Sequence, residues 1–335
     1  MELINNASLK SFVTFGVEAS CDHLYRIEDI DELKLAAQFL ENPLILGGGS
    51  NVLPIGDIER NVMRIELKGI EIDEEDGNDP LIHVGAGEIW HQFVMWALDR
   101  NLGGVENLSL IPGTIGASPI QNIGAYGVEI ESVFHSLEAV RLGTGEIKRF
   151  SKEECKFGYR DSVFKQEAKG QYIITGVTLR LTREHKVNTS YGAIQDILNQ
   201  RGILNPTIQD VSNAVIHIRQ TKLPDPSVIG NAGSFFKNPI ISKNQYDTLK
   251  EMFPDIPGFP AEDQRMKVPA GWLIEQAGWK GKAIGHAGCY EKQALVLVNL
   301  GGASGVEIWN LAGEIIRSVE EKFEIRLSPE VNIWK

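Results

Sequence analysis

The sequence contains little cysteine and no long apolar segment among its 335 residues. Its three cysteines, Cys21, Cys155 and Cys289, are far apart and odd in number, which indicates a reducing compartment without disulfides. Because no run of about 18 apolar residues occurs, we expect no membrane insertion. The start, MELINNASLK, lacks the basic and apolar regions of a signal peptide, so we predict a cytoplasmic protein.

Basic residues are also in deficit. The chain has 33 lysines and arginines against 45 acidic residues, which gives a net charge of −12. Because phosphate backbones need a basic face, this balance argues against a general nucleic-acid binder but leaves room for a local anion pocket. Neither CxxC nor HExxH occurs and the seven histidines are scattered, so we expect no metal site.

The common nucleotide-binding fingerprints are absent as well. No GxGxxG segment leads into a helix, so the Rossmann fingerprint is missing, and no GxxxxGK[ST] segment provides a P-loop. If the chain binds a dinucleotide, we expect it to do so with another fold.

Apolar spacing predicts several elements. Residues 25–46 fit a strand, a helix and a second strand, and residues 88–100 fit an amphipathic helix. We predict an acidic turn at 73–79. A later helix is predicted to begin at Ser304, because Glu307 follows three residues on as in a capping box.

The length of the chain suggests two or three domains. The proline-rich segment 222–230 follows a helical pattern and marks a domain boundary. The final stretch, 323–334, is predicted as a strand although it contains Pro329.

Two glycine-rich segments are candidates for ligand binding. GGGSN at 47–51 follows a short apolar strand. Because its glycines have no side chains, their backbone N–H groups are accessible, which fits either an anion-binding nest or a tight turn. The segment 111–127 is longer than a connection requires and carries several isoleucines, which argues against disorder. It fits either a cradle for an extended ligand or a structural Ω-loop.

Six segments recur in the order of a known family. They are GGGSN (47–51), PGTIGASPIQNIGAYG (112–127), CKFGYRDSVFK (155–165), NTSYG (188–192), LPDPSVIGNAGSFFKNP (223–239) and LSPEV (327–331). Together they resemble the UDP-N-acetylenolpyruvoylglucosamine reductase family, the flavoenzymes of bacterial peptidoglycan synthesis. The NTSYG segment resembles the type I branch, which carries a tyrosine loop. The resemblance extends over nearly the whole chain.

The resemblance implies an α+β fold: a two-lobe FAD-binding unit of the vanillyl-alcohol-oxidase (PCMH) type and a C-terminal α/β substrate-binding domain. We expect a first lobe at 1–68, to which a strand at 326–335 returns. The second lobe is expected at 69–222, with the tyrosine loop near 188–192, and the substrate domain at 223–325.

The same resemblance implies a reaction. NADPH reduces a non-covalently bound FAD, and the reduced flavin then reduces the enolpyruvyl group of UDP-N-acetylglucosamine enolpyruvate to give UDP-N-acetylmuramate. The expected partners are therefore this substrate and NADPH, with no nucleic acid and no membrane, and we expect a monomer.

Three residues are catalytic by resemblance. Arg160 would meet the substrate carboxylate as a two-pronged cation, although a plain salt bridge to Asp161 or a neighbouring acid is the alternative. Ser234 would donate a proton to the substrate carbon, whereas a loop hydroxyl that caps its own backbone is the alternative. Glu330 would hydrogen-bond the enolate carboxylate if it carries or shares a proton, or else be an exposed strand-end acid.

The remaining site residues are assigned by their match to the same motifs. The cofactor-binding residues are Gly47, Gly48, Gly49, Ser50, Asn51, Pro112, Gly113, Thr114, Gly116, Ala117, Ser118, Gln121, Asn122, Gly124, Ala125, Tyr126 and Gly127. The substrate-binding residues are Tyr159, Tyr191, Lys222, Asn238 and Gln293, each of which could equally be a solvated surface residue. The chain departs from the usual sequence of these motifs at two places. One is Ala117–Ser118, and the other is Asn332, a position where an arginine is frequent.

Two other functions fit parts of this pattern. The first is an FAD-dependent oxidase of related fold, which would often hold its flavin covalently through His or Cys. The loop 112–127 contains neither residue. The second is a nucleotide-sugar binding protein that does not turn its ligand over, which would bind no flavin and consume no NADPH.

Overall fold

The computed structural model of the chain describes residues 1–73, 77 and 79–335. It divides into two compact units. The first unit comprises Met1–Ala7, Cys21–Gly49 and Glu59–Thr221, and the second comprises Ser8–Ser20, Ser50–Ile58 and Lys222–Lys335. The predicted acidic turn at 73–79 lies largely outside the described residues.

The strands are short, and the helices range from one turn to five turns. In the described ranges the strands are β1 (Glu2–Ser8), β2 (Ser20–Ile27), β3 (Leu44–Leu46), β4 (Val52–Pro54), β5 (Ile58–Ile65), β6 (Ile70–Asp73), β7 (Leu81–Gly85), β8 (Gly124–Ala125), β9 (Val128–Glu129), β10 (Phe134–Arg141), β11 (Ile147–Ser151), β12 (Tyr172–Arg180), β13 (Gly230–Ser234), β14 (Ile240–Ser242), β15 (Phe259–Pro260), β16 (Arg265–Lys267), β17 (Ala283–Ile284), β18 (Ala287–Cys289), β19 (Val296–Asn299) and β20 (Asn332–Trp334). The α-helices in the same ranges are α1 (Ile30–Phe39), α2 (Trp90–Asp99), α3 (Lys152–Cys155), α4 (Gly192–Gln200), α5 (Ile208–Lys222), α6 (Lys243–Met252), α7 (Ala270–Gln276) and α8 (Gly305–Phe323).

The first unit contains a five-stranded antiparallel sheet in the order β11-β10-β12-β7-β6. Side chains alternate between its faces, so Val177 of β12 and Val84 of β7 pair on the buried side. Thr178 and His83 pair on the other side, where His83 Nδ1 lies 2.9 Å from Thr178 Oγ1. The buried side joins the core formed by α2, which places the predicted 88–100 helix against the sheet.

A second sheet of this unit has the order β1-β2-β5-β3. The predicted strand, helix and strand at 25–46 are confirmed as β2, α1 and β3. Helix α1 begins after Asp29, whose carboxylate accepts from the amides of Asp31 and Glu32. Its inward residues Leu33 and Ala37 are completely buried and share a core with residues of both sheets.

The second unit is built on the sheet β13-β19-β18-β17 and on α8. The predicted capping box is confirmed, because Ser304 Oγ accepts from the Glu307 amide while the Glu307 carboxylate accepts from the Ser304 amide. Helix α8 buries Ile308, Ala312 and Ile315. The helix thereby covers one face of this small sheet.

The predicted strand at 323–334 was wrong over most of its length. The structure has a strand only at Asn332–Trp334, where β20 pairs in parallel with β4. Pro329 forms only an isolated bridge with Phe236. Proline has no amide hydrogen to donate, so it is disfavoured in the interior of a continuous ladder. No helix of the described residues combines the length and the apolar character that crossing a bilayer requires.

Candidate functional site

Two glycine-rich segments pack against each other in the first unit. A Cβ added to Gly48 would lie 2.9 Å from Gly113 Cα, and one added to Gly47 would lie 2.6 Å from Thr114 Oγ1. Both distances are shorter than a carbon side chain tolerates, so glycine lets residue 48 approach the Gly113 main chain and residue 47 approach the Thr114 side chain. The two segments are therefore adjacent, with glycines at the points of contact.

The segment 112–127 is anchored rather than loose. Trp90 N donates to Gly113 O at 3.0 Å, Ile115 N to Glu88 O at 2.8 Å, and Gly116 N to Ala86 O at 2.9 Å. Ser118 is buried and its hydroxyl donates to Ile115 O at 2.6 Å. These bonds hold the first half of the segment against the start of α2.

Asn122 ties the second half of the segment together. It is completely buried and has a φ of 45°. Its side-chain Nδ2 donates to Glu129 Oε2 at 2.8 Å and to Gly158 O at 3.1 Å, while its Oδ1 accepts from Glu131 N at 3.1 Å. These bonds fix the Asn122 side chain within the loop, and its predicted contact with a cofactor stays a prediction.

Arg160 points its guanidinium at the same segment. Its Nη1 donates to Asn122 O at 3.4 Å, its Nη2 donates to Gly124 O, and Glu129 Oε1 lies 3.6 Å from Nη1. The Arg160 Cζ lies 5.3 Å from the centre of the Tyr159 ring. The predicted alternative was a salt bridge to Asp161 or a neighbouring acid, and the acid near this guanidinium is Glu129.

Tyr126 and Tyr191 meet in the first unit, although 65 positions separate them in the chain. Their rings are 5.1 Å apart at an angle of 87°, an edge-to-face contact. Arg219 lies beside Tyr126, and its Nε donates to Leu110 O at 3.1 Å. Burial raises the pKa of the Tyr126 phenol and lowers the pKa of the Arg219 guanidinium.

Arg219 was missed by the sequence analysis. It lies on α5 four positions after Val215 and eight after Val211, both of which are buried. That spacing places residue 219 on the inward side of the helix. A cation at an inward helical position was therefore the signal that could have identified it.

In the second unit, Ser234 ends β13 opposite Val296 of β19. The pairing register shifts between Asn231 and Ser234, and Gly233, which has a φ of 68°, lies within this irregularity. Such bulges redirect the side chain that follows. The next residues, Phe235 and Phe236, are completely buried and fix the segment in the core.

Backbone bonds bring Glu330 beside this segment. Glu330 N donates to Phe235 O at 2.8 Å, and Lys237 N donates to Ser328 O at 2.9 Å. On its other side, Glu330 O accepts from Asn51 Nδ2 at 3.3 Å. Ser234 and Glu330 are thus attached to one framework within the second unit, although about a hundred residues separate them in the sequence.

Asn51 and Asn332 are linked in the same unit. Asn332 donates to Asn51 O through both its backbone N and its Nδ2, each at 3.0 Å. This is the position where an arginine is frequent in the family. The asparagine supplies a short contact that reinforces the pairing of β20 with β4.

Asn238 and Gln293 converge on the start of α7. Asn238 Oδ1 accepts from Ala270 N at 2.9 Å. A Cβ added to Gly271 would lie 3.0 Å from Gln293 Oε1. These two predicted substrate residues are therefore neighbours of one helix N-terminus, whereas Lys222 is exposed at the start of the last segment of the second unit.

The predicted site residues fall into both units. The first unit holds Gly47–Gly49, the segment 112–127, Tyr159, Arg160 and Tyr191. The second holds Ser50, Asn51, Lys222, Ser234, Asn238, Gln293 and Glu330. The individual assignments to cofactor or substrate stay predictions.

Comparison with known proteins gives two family matches. A model described as "FAD binding domain" matches residues 26–151. A model described as "UDP-N-acetylenolpyruvoylglucosamine reductase, C-terminal domain" matches residues 225–334.

Full-length relatives and a solved structure agree with these matches. The chain is 51% identical to UDP-N-acetylenolpyruvoylglucosamine reductase of Flavobacterium johnsoniae, over 99% of this chain and 100% of that protein. It is 48% identical to the reductase of the same name from Amoebophilus asiaticus, over 99% of each chain. The crystal structure of the reductase from Thermus caldophilus superimposes with a TM-score of 0.68 at 26% identity, covering 100% of this chain and 98% of that one.

Proposed function

We infer the function from the family: the chain belongs to the UDP-N-acetylenolpyruvoylglucosamine reductases, as 51% identity over 99% of its length shows. It is an FAD-dependent oxidoreductase that uses NADPH to reduce UDP-N-acetylglucosamine enolpyruvate in the synthesis of the peptidoglycan precursor UDP-N-acetylmuramate. The α+β fold, with an FAD-binding part of the vanillyl-alcohol-oxidase type and a C-terminal domain, agrees with the expectation from sequence.

The adjacent glycine-rich stretches fit this cofactor. Backbone amides without side chains suit a pyrophosphate, and the contacts of Gly47 and Gly48 with residues 113 and 114 leave no space for larger residues. We propose that residues 47–51 and 112–127 hold FAD without a covalent bond. When bound, FAD supplies the transfer of hydride from NADPH to the enolpyruvyl double bond.

We propose that Arg160 binds the enolpyruvyl carboxylate. Hydride addition to the terminal carbon places negative charge on the neighbouring carbon and its carboxylate. A guanidinium that is already oriented stabilises this charge without reorganising during the reaction. The bonds of Arg160 to the carbonyls of Asn122 and Gly124 support the proposal, because they fix the group before substrate arrives.

We propose that Ser234 then protonates the carbon. Its position after the irregularity at Gly233, and before two buried phenylalanines, gives a small hydroxyl on a rigid support. Placement matters more here than acidity, since an enolate carbon is a strong enough base to take a hydroxyl proton. Glu330, attached to the same framework, would hydrogen-bond the carboxylate in its protonated form.

The nucleotide part of the substrate is proposed to bind five residues: Tyr159, Tyr191, Lys222, Asn238 and Gln293. The edge-to-face contact of Tyr191 with Tyr126 and the convergence of Asn238 and Gln293 on α7 support this. We propose that the reaction takes place in the cytoplasm by a monomer, which size-exclusion chromatography with light scattering can test.

The experiment that tests the function follows the flavin colour without oxygen. The purified protein should be yellow, NADPH should bleach it, and UDP-N-acetylglucosamine enolpyruvate should restore the colour rapidly. UDP-N-acetylglucosamine, which lacks the enolpyruvyl group, is the matched control and should restore nothing. A yellow protein that ignores the enolpyruvyl substrate would contradict the proposal, and flavin that stays with acid-precipitated protein would contradict non-covalent binding.

A further inference from the structure

The orientation of Arg160 is set from two sides. Its backbone has a φ of 53°, and it is enclosed by reciprocal hydrogen bonds between Gly158 and Asp161, each 3.1 Å long. Its guanidinium is directed by the Asn122 and Gly124 carbonyls and by the Glu129 carboxylate. Both the start and the end of this side chain are therefore fixed by the protein.

Glu129 is itself held in place. One of its carboxylate oxygens, Oε2, accepts from Asn122 Nδ2 at 2.8 Å, while the other, Oε1, lies 3.6 Å from Arg160 Nη1. Asn122 also donates to Gly158 O, two residues before the arginine. The buried amide thus connects the carboxylate to the turn that carries Arg160.

Packing leaves little room for another arrangement. A Cβ added to Gly124 would lie 2.7 Å from Glu129 Cγ and 2.9 Å from Arg160 Nη1. Glycine at position 124 of β8 therefore leaves the space in which the Glu129 carboxylate and the Arg160 guanidinium approach each other. The Arg160 side chain is 19% exposed and the Glu129 side chain 36% exposed, so the guanidinium is better shielded from water than the carboxylate.

We propose that Glu129 is a positioning residue that acts through Arg160. This inference rests on the proposed function, in which Arg160 binds the enolpyruvyl carboxylate. Glu129 keeps the guanidinium donors aimed in one direction, so the substrate meets an oriented fork instead of a mobile cation. Small errors in such alignment are costly: a displacement of about 1 Å can reduce a rate about 100-fold.

The matched pair of variants is Glu129→Gln and Glu131→Gln. Both remove one carboxylate charge, but the Glu131 residue contributes its backbone amide to Asn122 rather than its side chain. For Glu129→Gln we expect flavin recovery by the enolpyruvyl substrate to slow about 10-fold or more. Bleaching by NADPH should stay within about 2-fold, and Glu131→Gln should leave both steps within about 2-fold, because neither change touches the hydride donor.

A binding measurement separates alignment from turnover. Calorimetry on the oxidised protein without NADPH gives the Kd of the enolpyruvyl substrate, and Glu129→Gln should raise it about 10-fold relative to Glu131→Gln. The Kd of UDP-N-acetylglucosamine, which lacks the carboxylate, should not change. A rise for both ligands would indicate a general disturbance of the pocket and would overturn the proposal.

A double-variant cycle decides whether Glu129 acts through Arg160. In an Arg160→Lys background, which keeps a cation but loses the planar fork, Glu129→Gln should add less than about 2-fold to either measurement. An additive loss would overturn the positioning role. This outcome is distinct from failure of the proposed function, in which the unsubstituted protein itself would not recover its colour with the enolpyruvyl substrate.

Discussion

The surroundings of Arg160 and of Ser234 are built in different ways. In the first unit, Arg160 donates to the carbonyls of Asn122 and Gly124, and side chains add to this support: the Glu129 carboxylate and, behind it, the Asn122 amide. In the second unit, Ser234 and Glu330 are held mainly by backbone bonds, such as that from Glu330 N to Phe235 O. A framework of backbone bonds persists when a side chain is replaced, whereas a network of side chains does not.

Point substitutions should therefore have different effects in the two surroundings. Around Ser234, removing the functional group should remove chemistry and leave the structure intact. Around Arg160, removing a supporting group should disturb the structure and the chemistry together. The three predictions that follow test this contrast, and they begin with the largest expected effect.

Ser234→Ala should slow flavin recovery by the enolpyruvyl substrate about 10²–10⁴-fold, the usual contribution of a proton donor. Bleaching by NADPH and the melting temperature should stay unchanged, since the Ser234 hydroxyl makes no hydrogen bond within the described part of the chain. Stopped-flow absorbance of each half-reaction measures the two rates. Recovery at the unsubstituted rate would mean that another group protonates the carbon.

Asn122→Ala should destabilise the first unit by about 1–3 kcal/mol, because it leaves the part-buried Glu131 amide without its acceptor and removes one of the two hydrogen bonds to the Gly158 carbonyl. The alkylation rate of a buried cysteine thiol reports how often the unit that holds it opens, so thiol labelling measures the opening of each unit separately. Burial raises the pKa of the Cys155 thiol and of the Cys289 thiol to about 12, so neither should react before its unit opens.

The expected result in this labelling experiment is faster alkylation of Cys155, in the first unit, with no change at Cys289, in the second. Mass spectrometry after timed addition of iodoacetamide at pH 8 gives both rates. Equal acceleration at both thiols would show that the two units open together, and would remove the basis for treating Asn122 as a local support. Asn199→Ala, on the exposed side of α4, is the control.

Asn332→Ala should have the smallest effect. It removes the Nδ2 contact to Asn51 O but keeps the backbone bond from Asn332 N to the same oxygen. We expect a loss of at most about 1 kcal/mol, typical of an exposed neutral hydrogen bond, and flavin recovery within about 3-fold. A loss as large as that of Asn122→Ala would contradict the view that backbone bonds dominate in the second unit.

Much of the site could be predicted because its residues lie in contiguous motifs. The glycines at 47–49 and 113 were recognisable as backbone without side chains, and the structure adds that they face one another. Glu129 could not be singled out, since acids also stand at 131 and nothing in the spacing distinguishes them. Its role depends on Asn122 and Arg160, which only folding brings to its side.

The incorrect prediction of a long C-terminal strand also shows that contacts between distant residues decide local structure. Local apolar alternation favoured a continuous strand, but Pro329 and the bond of Glu330 N to Phe235 O give the segment another course. A long-range hydrogen bond decided the conformation of residues whose local pattern suggested something else.

By itself, the order of amino acids determined the family, the helical and strand periodicities, and the motifs in which the proposed chemical groups stand. These are properties of neighbours along the chain. Only the tertiary structure decided that a glutamate directs Arg160, that an asparagine from the glycine-rich segment supports Glu330, and that an arginine of α5 lies beside Tyr126. Such contacts join residues tens to hundreds of positions apart, and the compact fold, rather than any local preference, makes them neighbours.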